Sequence, residues 1–174
     1  MIPRPQPGDY ADFFAGYVAR VPDGDVLAGL ADQGRRMAAD VRAAGEARGD
    51  YAYADNKWSI KRLVLHVADG ERMFAYRAMC VARGDSQELP SFDENAYAAN
   101  DGSVARTLAS VVGEYESVRA ATLTLFRGLD AAAWRRRGRA SGNPVTVAAL
   151  PWIMLGHDLH HHAVLTERYN VTPG

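Results

Sequence analysis

The chain has little of what ties a protein to a membrane, to nucleic acid or to disulfide bonding. Its 174 residues include one cysteine, Cys80, which excludes an internal disulfide. Twenty basic and 21 acidic residues give a formal net charge of -1, so no overall field attracts a phosphate backbone. No stretch approaches the roughly 20 consecutive apolar residues of a membrane helix. We therefore expect a cytoplasmic protein that binds neither membrane nor nucleic acid.

Strand-like patterns are also scarce. Valine, isoleucine and threonine rarely alternate with polar residues, whereas alanine, leucine, arginine and glutamate dominate the sequence. A chain of this length corresponds to about one ordinary domain. We therefore predict an all-α fold that forms a single helical domain over residues 1–174, with Cys80 as a small buried side chain inside a helix.

Four long helices are predicted from apolar residues at spacings of three and four and from residues that favour helix ends. They begin after Asp23 or Asp25, at Ser59, at Ser103 and near Thr146, and they close near Gly49, Gly84, Gly128 and Tyr169. A short helix with Tyr10, Phe13, Phe14 and Tyr17 precedes them. Because Pro151 lacks an N–H, the last helix either kinks there or starts one turn later.

The connections between these helices favour a bundle. Residues 85–101 are rich in Pro, Ser, Asp, Asn and Gly and form a connection too long for a simple turn, while residues 138–144 are predicted to be a loop. Four long helices with one long crossover describe a four-helix bundle, in which facing side chains often build metal sites. The basic run WRRRGR, residues 134–139, is interpreted as a solvated connection, because no basic stripe or stacking platform accompanies it.

Histidines concentrate in the last helix. Four of the five lie within GHDLHHH, residues 156–162, away from either terminus. His157 and His161 are four residues apart, which places them on one helix face about 6 Å apart along the axis. That face also carries the apolar residues Leu150, Ile153, Met154, Val164 and Leu165, so it should face the core. The pair is either two histidines bonded to backbone or water, or two ligands of one ion.

The fifth histidine favours the ligand interpretation. His66 lies on an inward face of the second helix, and three imidazoles from two facing helices would leave metal positions open for water or substrate. We therefore predict a divalent metal ion bound by His66, His157 and His161. His160 is a candidate substitute ligand or hydrogen-bond donor to the site, whereas His162 is rotated by about 100° from His161 and should face elsewhere.

Two further residues are candidates for catalytic roles. Asp69 follows His66 on the same face and would orient an imidazole or take a proton from a bound water, but it can equally pair with Arg72 at the surface. Arg77 lies eleven residues after His66, near the same face, and is a candidate for binding an anionic group of a substrate. No nucleotide-binding loop, hydrolase elbow or HExxH motif occurs in the sequence.

Two long stretches resemble the DinB/YfiT-like family. They are KWSIKRLVLHVADGERMFAYRAMCVARGD, residues 57–85, and GHDLHHHAVLTERY, residues 156–169, and the opening IPRPQPGDYADFFAGYVARVPDGDVL resembles a subgroup of that family. The shared motifs are a Trp-Ser helix start, a histidine followed by Asp and Glu-Arg, and a late histidine cluster. The resemblance implies an up-down-down-up four-helix bundle holding a divalent ion, often nickel or zinc. One ligand comes from the second helix and two from the last, which matches His66, His157 and His161.

The resemblance also implies a range of activities. Family members of understood activity include thiol S-transferases that use bacillithiol and isomerases or transferases that use mycothiol, in which the metal lowers the pKa of a thiol. It therefore implies a metal-dependent thiol S-transferase or small-molecule hydrolase, a low-molecular-weight thiol as co-substrate and a homodimer. The alternative is a non-catalytic metal-binding stress-response protein whose ion holds two helices together. Arg62 and Pro151 depart from the family pattern and leave the choice of substrate open.

Overall fold

A computed structural model describes residues 1–172, so residues 173 and 174 of the predicted domain lie outside the described part. The α-helices are α1 (Ala15–Arg20), α2 (Val26–Ala44), α3 (Ile60–Ala82), α4 (Glu94–Ala99), α5 (Leu108–Arg127), α6 (Ala131–Trp134) and α7 (Ala149–Tyr169). Three strands accompany them, β1 (Glu88–Leu89), β2 (Arg137–Ala140) and β3 (Asn143–Thr146). Single 3-10 turns cover Asp12–Phe14, Glu46–Arg48 and Ser103–Ala105. The predominantly helical fold that the sequence predicts is confirmed.

Local capping determines where the long helices begin. The Asp25 carboxylate accepts hydrogen bonds from the first backbone N–H groups of α2, and the Ser59 hydroxyl accepts one at the start of α3, as predicted. The predicted start of the third long helix at Ser103 is wrong. Extended backbone at Arg106 separates the short turn at Ser103 from α5, and Thr107 caps α5 instead.

The last helix starts at Ala149, three residues after the predicted Thr146. The Thr146 hydroxyl accepts a hydrogen bond from the Ala149 N–H at 3.2 Å. Pro151 is the third residue of α7. At that position a backbone N–H has no partner within the helix, so the proline removes no helical hydrogen bond. Of the two alternatives expected from Pro151, a kink or a later helix start, the later start is the one observed.

The loop predicted at residues 138–144 is instead a β-hairpin, and that prediction is wrong. Strands β2 and β3 pair antiparallel, and β1 adds to β2 in parallel, so β3 lies at an edge, where Pro144 is tolerated. Ser141 and Gly142 both have positive φ, which is typical of a two-residue hairpin turn. A Cβ at Gly138 would lie 2.6 Å from the side chain of Val81, so the hairpin packs directly on α3.

Contacts between the helices establish the up-down-down-up arrangement. Between α2 and α7, residue numbers rise together in both helices from one contact to the next. The contacts are Gly29 with Leu155, Gln33 with Asp158 and Asp40 with His162. Those between α3 and α7 run in opposite directions, namely Trp58 with Tyr169, His66 with His161 and Gly70 with His157. Those between α3 and α5 advance together, namely Lys61 with Arg106 and Glu71 with Arg119. Helices α2 and α7 are therefore parallel to each other and antiparallel to α3 and α5.

Two apolar clusters fill the bundle, one towards each end. The first joins the starts of α2 and α7 to the ends of α3 and α5, and the second joins the opposite ends. Between them lie buried polar side chains on all four long helices: Gln33, Glu71, Arg119, His157 and Asp158. We call this set the polar layer. Within residues 1–172 no helix is long and apolar enough to cross a membrane.

Candidate metal centre

Three histidines converge at the interface of α3 and α7. His66 comes from α3, and His157 and His161 come from successive turns of α7. Their Nε2 atoms lie 3.1 Å apart between His66 and His157, 3.2 Å between His66 and His161, and 3.1 Å between His157 and His161. A single ion placed among the three atoms can be about 2 Å from each of them, and about 2 Å is the usual Zn–N distance. The structure thus brings together the three predicted ligands, here called the histidine cluster.

Burial keeps the histidine cluster uncharged. Desolvation lowers the pKa of His66 to about 4 and that of His157 to about 3, and neighbouring histidines add to both effects. The pKa of His161 falls to about 2 for the same reasons. Each ring is therefore neutral at pH 7 and carries one nitrogen lone pair. Three Nε2 atoms in a triangle cannot all be satisfied by donating protons to one another, whereas one shared cation satisfies all three.

Small and aromatic residues set the position of the cluster. A Cβ at Gly70 would lie 3.2 Å from Cε1 of His157, so this glycine lets the ring lie close against α3. The Tyr17 ring packs edge-on against His157, with centroids 5.4 Å apart. A Cβ at Gly156 would lie 2.0 Å from the Tyr17 carbonyl oxygen, so α1 reaches α7 only because this residue has no side chain. The sequence alone did not indicate these contacts.

The histidine cluster lies on the wall of a cavity of about 510 Å³. Much of the wall is aromatic and comes from the N-terminal segment, α3 and the crossover between α3 and α5, namely Tyr10, Phe13, Phe14, Tyr17, Phe74 and Phe92. Polar groups also line it, among them Ser91, Glu94, Ser141 and Asn143. A cavity of this size, largely apolar with a few polar groups, suits a small organic molecule.

The two predicted catalytic residues differ in their placement. The Asp69 carboxylate accepts a hydrogen bond from Arg72 at 3.0 Å, and burial raises the pKa of Asp69. Asp69 does not line the cavity and bonds to no histidine in the described part of the chain, so the structure does not bring it to the cluster. Arg77 does line the cavity, with its side chain buried, as its helical spacing predicts.

The two remaining histidines also differ. His160 lines the cavity, with its ring centroid 4.9 Å from that of His161, and burial lowers its pKa. His162 faces away from the cavity, as expected, and bonds to Asp40 at 2.9 Å and to Gln33 at 2.8 Å. His160 is therefore the histidine outside the cluster that can reach a bound molecule.

A buried ionic network that the sequence did not indicate lies beside the cluster. The Arg119 guanidinium on α5 donates to Glu71 at 2.7 Å and to Asp158 at 2.6 Å. The Tyr115 hydroxyl and the Gln33 amide also donate to Asp158. Burial and the Asp158 charge raise the pKa of Tyr115. Because Asp158 follows His157 directly in α7, the network holds the helix turn from which that ring projects.

Two other expectations concern residues outside the cavity. Cys80 is buried in α3, as predicted. In the basic run, Arg137 pairs with Asp9 at 2.7 Å and Arg139 with Glu88 at 3.1 Å, while Arg136 donates to the carbonyl of Ala82. These arginines therefore anchor the hairpin to neighbouring elements of the same chain.

The up-down-down-up helical bundle and the three convergent histidines together define a class of proteins. Comparison with known proteins identifies which class this is. The sequence profile of the DinB superfamily matches residues 25–165, and the chain belongs to this superfamily. The resemblance drawn from the sequence is therefore confirmed. A comparison with curated proteins finds no significant match.

Two solved structures share the fold. YfiT from Bacillus subtilis, described as a probable metal-dependent hydrolase with an unusual four-helix bundle topology, superposes with a TM-score of 0.72 at 18% identity, covering 87% of this chain and 90% of YfiT. A mycothiol-dependent maleylpyruvate isomerase superposes with a TM-score of 0.69 at 14% identity, covering 84% of this chain and 61% of the isomerase. At these identities the likeness establishes the fold.

Proposed function

We propose that the protein is a metal-dependent enzyme that acts on a small molecule and holds one divalent ion on His66, His157 and His161. The observation that carries this proposal is the convergence of three neutral Nε2 atoms, 3.1 to 3.2 Å apart, on the wall of a cavity. Structural zinc sites use four protein ligands, whereas catalytic sites use three and keep a position open. Neutral imidazoles suit zinc and nickel, which are the ions that we propose.

The proposed reaction is thiol transfer, with a low-molecular-weight thiol as co-substrate, or hydrolysis of a small molecule. A bound ion supplies a Lewis acid that lowers the pKa of a thiol or a water molecule. The aromatic wall excludes bulk water from the reacting groups, and Glu94 and His160 offer proton acceptors on the same wall. Asp69, which lies off this wall, is the weaker candidate for that role. The two fold neighbours, one described as a probable metal-dependent hydrolase and the other as mycothiol-dependent, support both chemistries.

The first test is elemental analysis of the purified protein against a His157→Ala, His161→Ala double variant. We expect about one equivalent of zinc or nickel in the wild type and almost none in the variant, because both α7 ligands are gone. A His160→Ala variant serves as the matched control and should keep its metal. Equal metal content in the wild type and the double variant would show that the ligand assignment is wrong.

A second test separates catalysis from metal storage. The metal-loaded wild type and the double variant are incubated with monobromobimane and a panel of thiols, and separately with activated esters. Catalysed thiol loss or ester cleavage that disappears in the double variant supports the enzyme. If neither reaction is accelerated and removal of metal unfolds the bundle, the alternative of a non-catalytic metal-binding stress-response protein is favoured, since the cluster ties α3 to α7.

Partners are part of the same proposal. We propose a small-molecule substrate, no nucleic-acid partner and a homodimer. Gel filtration with light scattering tests the dimer. A filter-binding assay at two salt concentrations tests nucleic acid, since electrostatic binding to a phosphate backbone weakens steeply as salt rises.

A further inference from the structure

Arg77 is a buried cation without a carboxylate partner in the part of the chain that the structure describes. Its relative exposure is 5%, the same as that of Arg119 in the ionic network. Arg119 is neutralised by Glu71 and Asp158. The Arg77 guanidinium instead donates from Nη2 to two neutral acceptors, the Pro90 carbonyl at 2.8 Å and the Ser141 hydroxyl at 2.9 Å. Two arginines with the same relative exposure therefore have different partners: carboxylates surround the charge of Arg119, whereas neutral oxygens contact that of Arg77.

The remaining donors of Arg77 point to an absent acceptor. Neither its Nη1 nor its enclosed Nε has a hydrogen-bond partner among the residues that the structure describes, and Nη1 is the one of the two that solvent can reach. Burial lowers the pKa of Arg77, yet a guanidinium stays protonated in proteins, so the charge remains. An unpaired buried charge is costly, and arginine is retained at such positions where it binds carboxylate or phosphate. Glu94 lines the same cavity but forms no ion pair with Arg77 within residues 1–172.

Arg77 and the histidine cluster define two poles of one cavity. Both line the cavity. Arg77 follows His66 by eleven residues on α3, which places it about 16 Å further along the helix axis. Phe14 and Phe74 line the cavity as well, and their rings pack edge to face with centroids 5.6 Å apart. The cavity thus has a cationic pole, an apolar aromatic wall and a cluster of neutral metal-binding donors.

We infer that the substrate is an amphipathic organic anion whose carboxylate or other oxyanion group is bound by the Arg77 guanidinium through Nη1, the donor that Pro90 and Ser141 leave free. Ser141 and Asn143 line the cavity beside this pole and supply further hydrogen-bond donors. The apolar body of the molecule lies along the aromatic wall, and its reacting group reaches the histidine cluster. The position of the reacting group rests on the proposed function, whereas the anion subsite stands on Arg77 alone.

The anion subsite is tested by calorimetry on the full chain as purified and again after treatment with a chelator. The probes are 4-phenylbutyrate and the uncharged 4-phenylbutanamide. We expect the wild type to bind the carboxylate at least about tenfold more tightly than the amide, because a charge-assisted bond to a buried guanidinium is strong. Arg77→Gln should bind both compounds equally. Arg83→Gln removes the same charge from an exposed position at the end of α3 and should keep the preference.

Two outcomes overturn the inference: no preference for the carboxylate in the wild type, or the same preference in Arg77→Gln. If Arg77→Gln does not fold, Arg77→Lys keeps the charge but loses the planar guanidinium, and we expect its preference for the carboxylate to be smaller than that of the wild type. Binding of acetohydroxamate to the metal-loaded protein tests the metal centre separately. A protein that fails to bind metal or hydroxamate but prefers the carboxylate would refute the proposed function and keep the subsite.

Discussion

At the scale of single residues, Gly156 sets how closely the N-terminal segment approaches the last helix. Its missing side chain lets the Tyr17 carbonyl lie against α7, and the Tyr17 ring then packs on His157. A larger residue at position 156 must push α1 away from α7. The same movement would open the wall of the cavity beside the histidine cluster.

We predict that Gly156→Ala destabilises the protein by about 1–3 kcal/mol, the usual cost of overpacking a tight contact. Urea denaturation measures this loss. Gly16→Ala is the matched control, because a Cβ there meets no atom within 4 Å, and its higher helix propensity should leave stability unchanged or raised by up to about 1 kcal/mol. A Gly156→Ala variant as stable as the wild type would mean that α1 does not rest on α7 in solution.

The predictability of the site also differs from residue to residue. His157 and His161 were found from the sequence because a spacing of four within one helix fixes their common face. His66 followed as the remaining histidine on an inward face. The partners of Arg119 were not predictable, because Glu71 and Asp158 come from other helices and helical spacing does not show which charges meet across a bundle.

At the scale of elements, Glu114 joins α5 to α3. It forms an ion pair with Arg72, at 2.6 Å, and accepts a hydrogen bond from Arg106. Burial favours the neutral acid, but the two arginines outweigh it and hold the pKa of Glu114 below its ordinary value of 4.5. The ionised form is therefore favoured in the folded state. This contribution to stability is present above pH 4.5 and is lost as the pH falls through the lower folded-state pKa.

We predict that Glu114→Gln lowers the thermal midpoint relative to the wild type at pH 6, and that the two midpoints converge as the pH falls below 4.5 and through the lower folded-state pKa. Calorimetric scans across this range provide the measurement. Asp55→Asn, which alters an exposed loop carboxylate, is the control and should follow the wild type. A constant difference at every pH would show that the Glu114 charge is not what joins the helices.

Element boundaries were predictable where the signal is local. The starts of α2 and α3 depend on Asp25 and Ser59, which bond to N–H groups two or three residues away. The hairpin was missed because β2 and β3 are four residues each and carry arginine, glycine and proline where a strand pattern would have alternating β-branched residues.

At the scale of the whole molecule, the polar layer and its ionic network join all four long helices. Arg119 on α5 reaches Glu71 on α3 and Asp158 on α7, and Asp158 accepts a hydrogen bond from Gln33 on α2. Removal of Arg119 would leave two buried carboxylates without their cation.

We predict that Arg119→Met lowers the free energy of unfolding by about 3–5 kcal/mol, the usual effect of removing one partner from a buried ion pair. Arg42→Met is the control, because its pair with Glu116 is exposed and worth at most about 1 kcal/mol. Guanidinium denaturation of both variants gives the comparison. Losses of similar size in the two variants would contradict a structural role for the network.

The parallel course of α3 and α5 has a consequence for how this protein could diversify. Since α5 starts at the end of the bundle opposite to where α3 stops, the chain must travel back along the helices. That returning segment contributes Ser91, Phe92 and Glu94 to the cavity. Insertions, deletions or substitutions in it would reshape the chamber that admits ligands while leaving His66, His157 and His161 in place. The shape of the cavity can thus change independently of the three histidines.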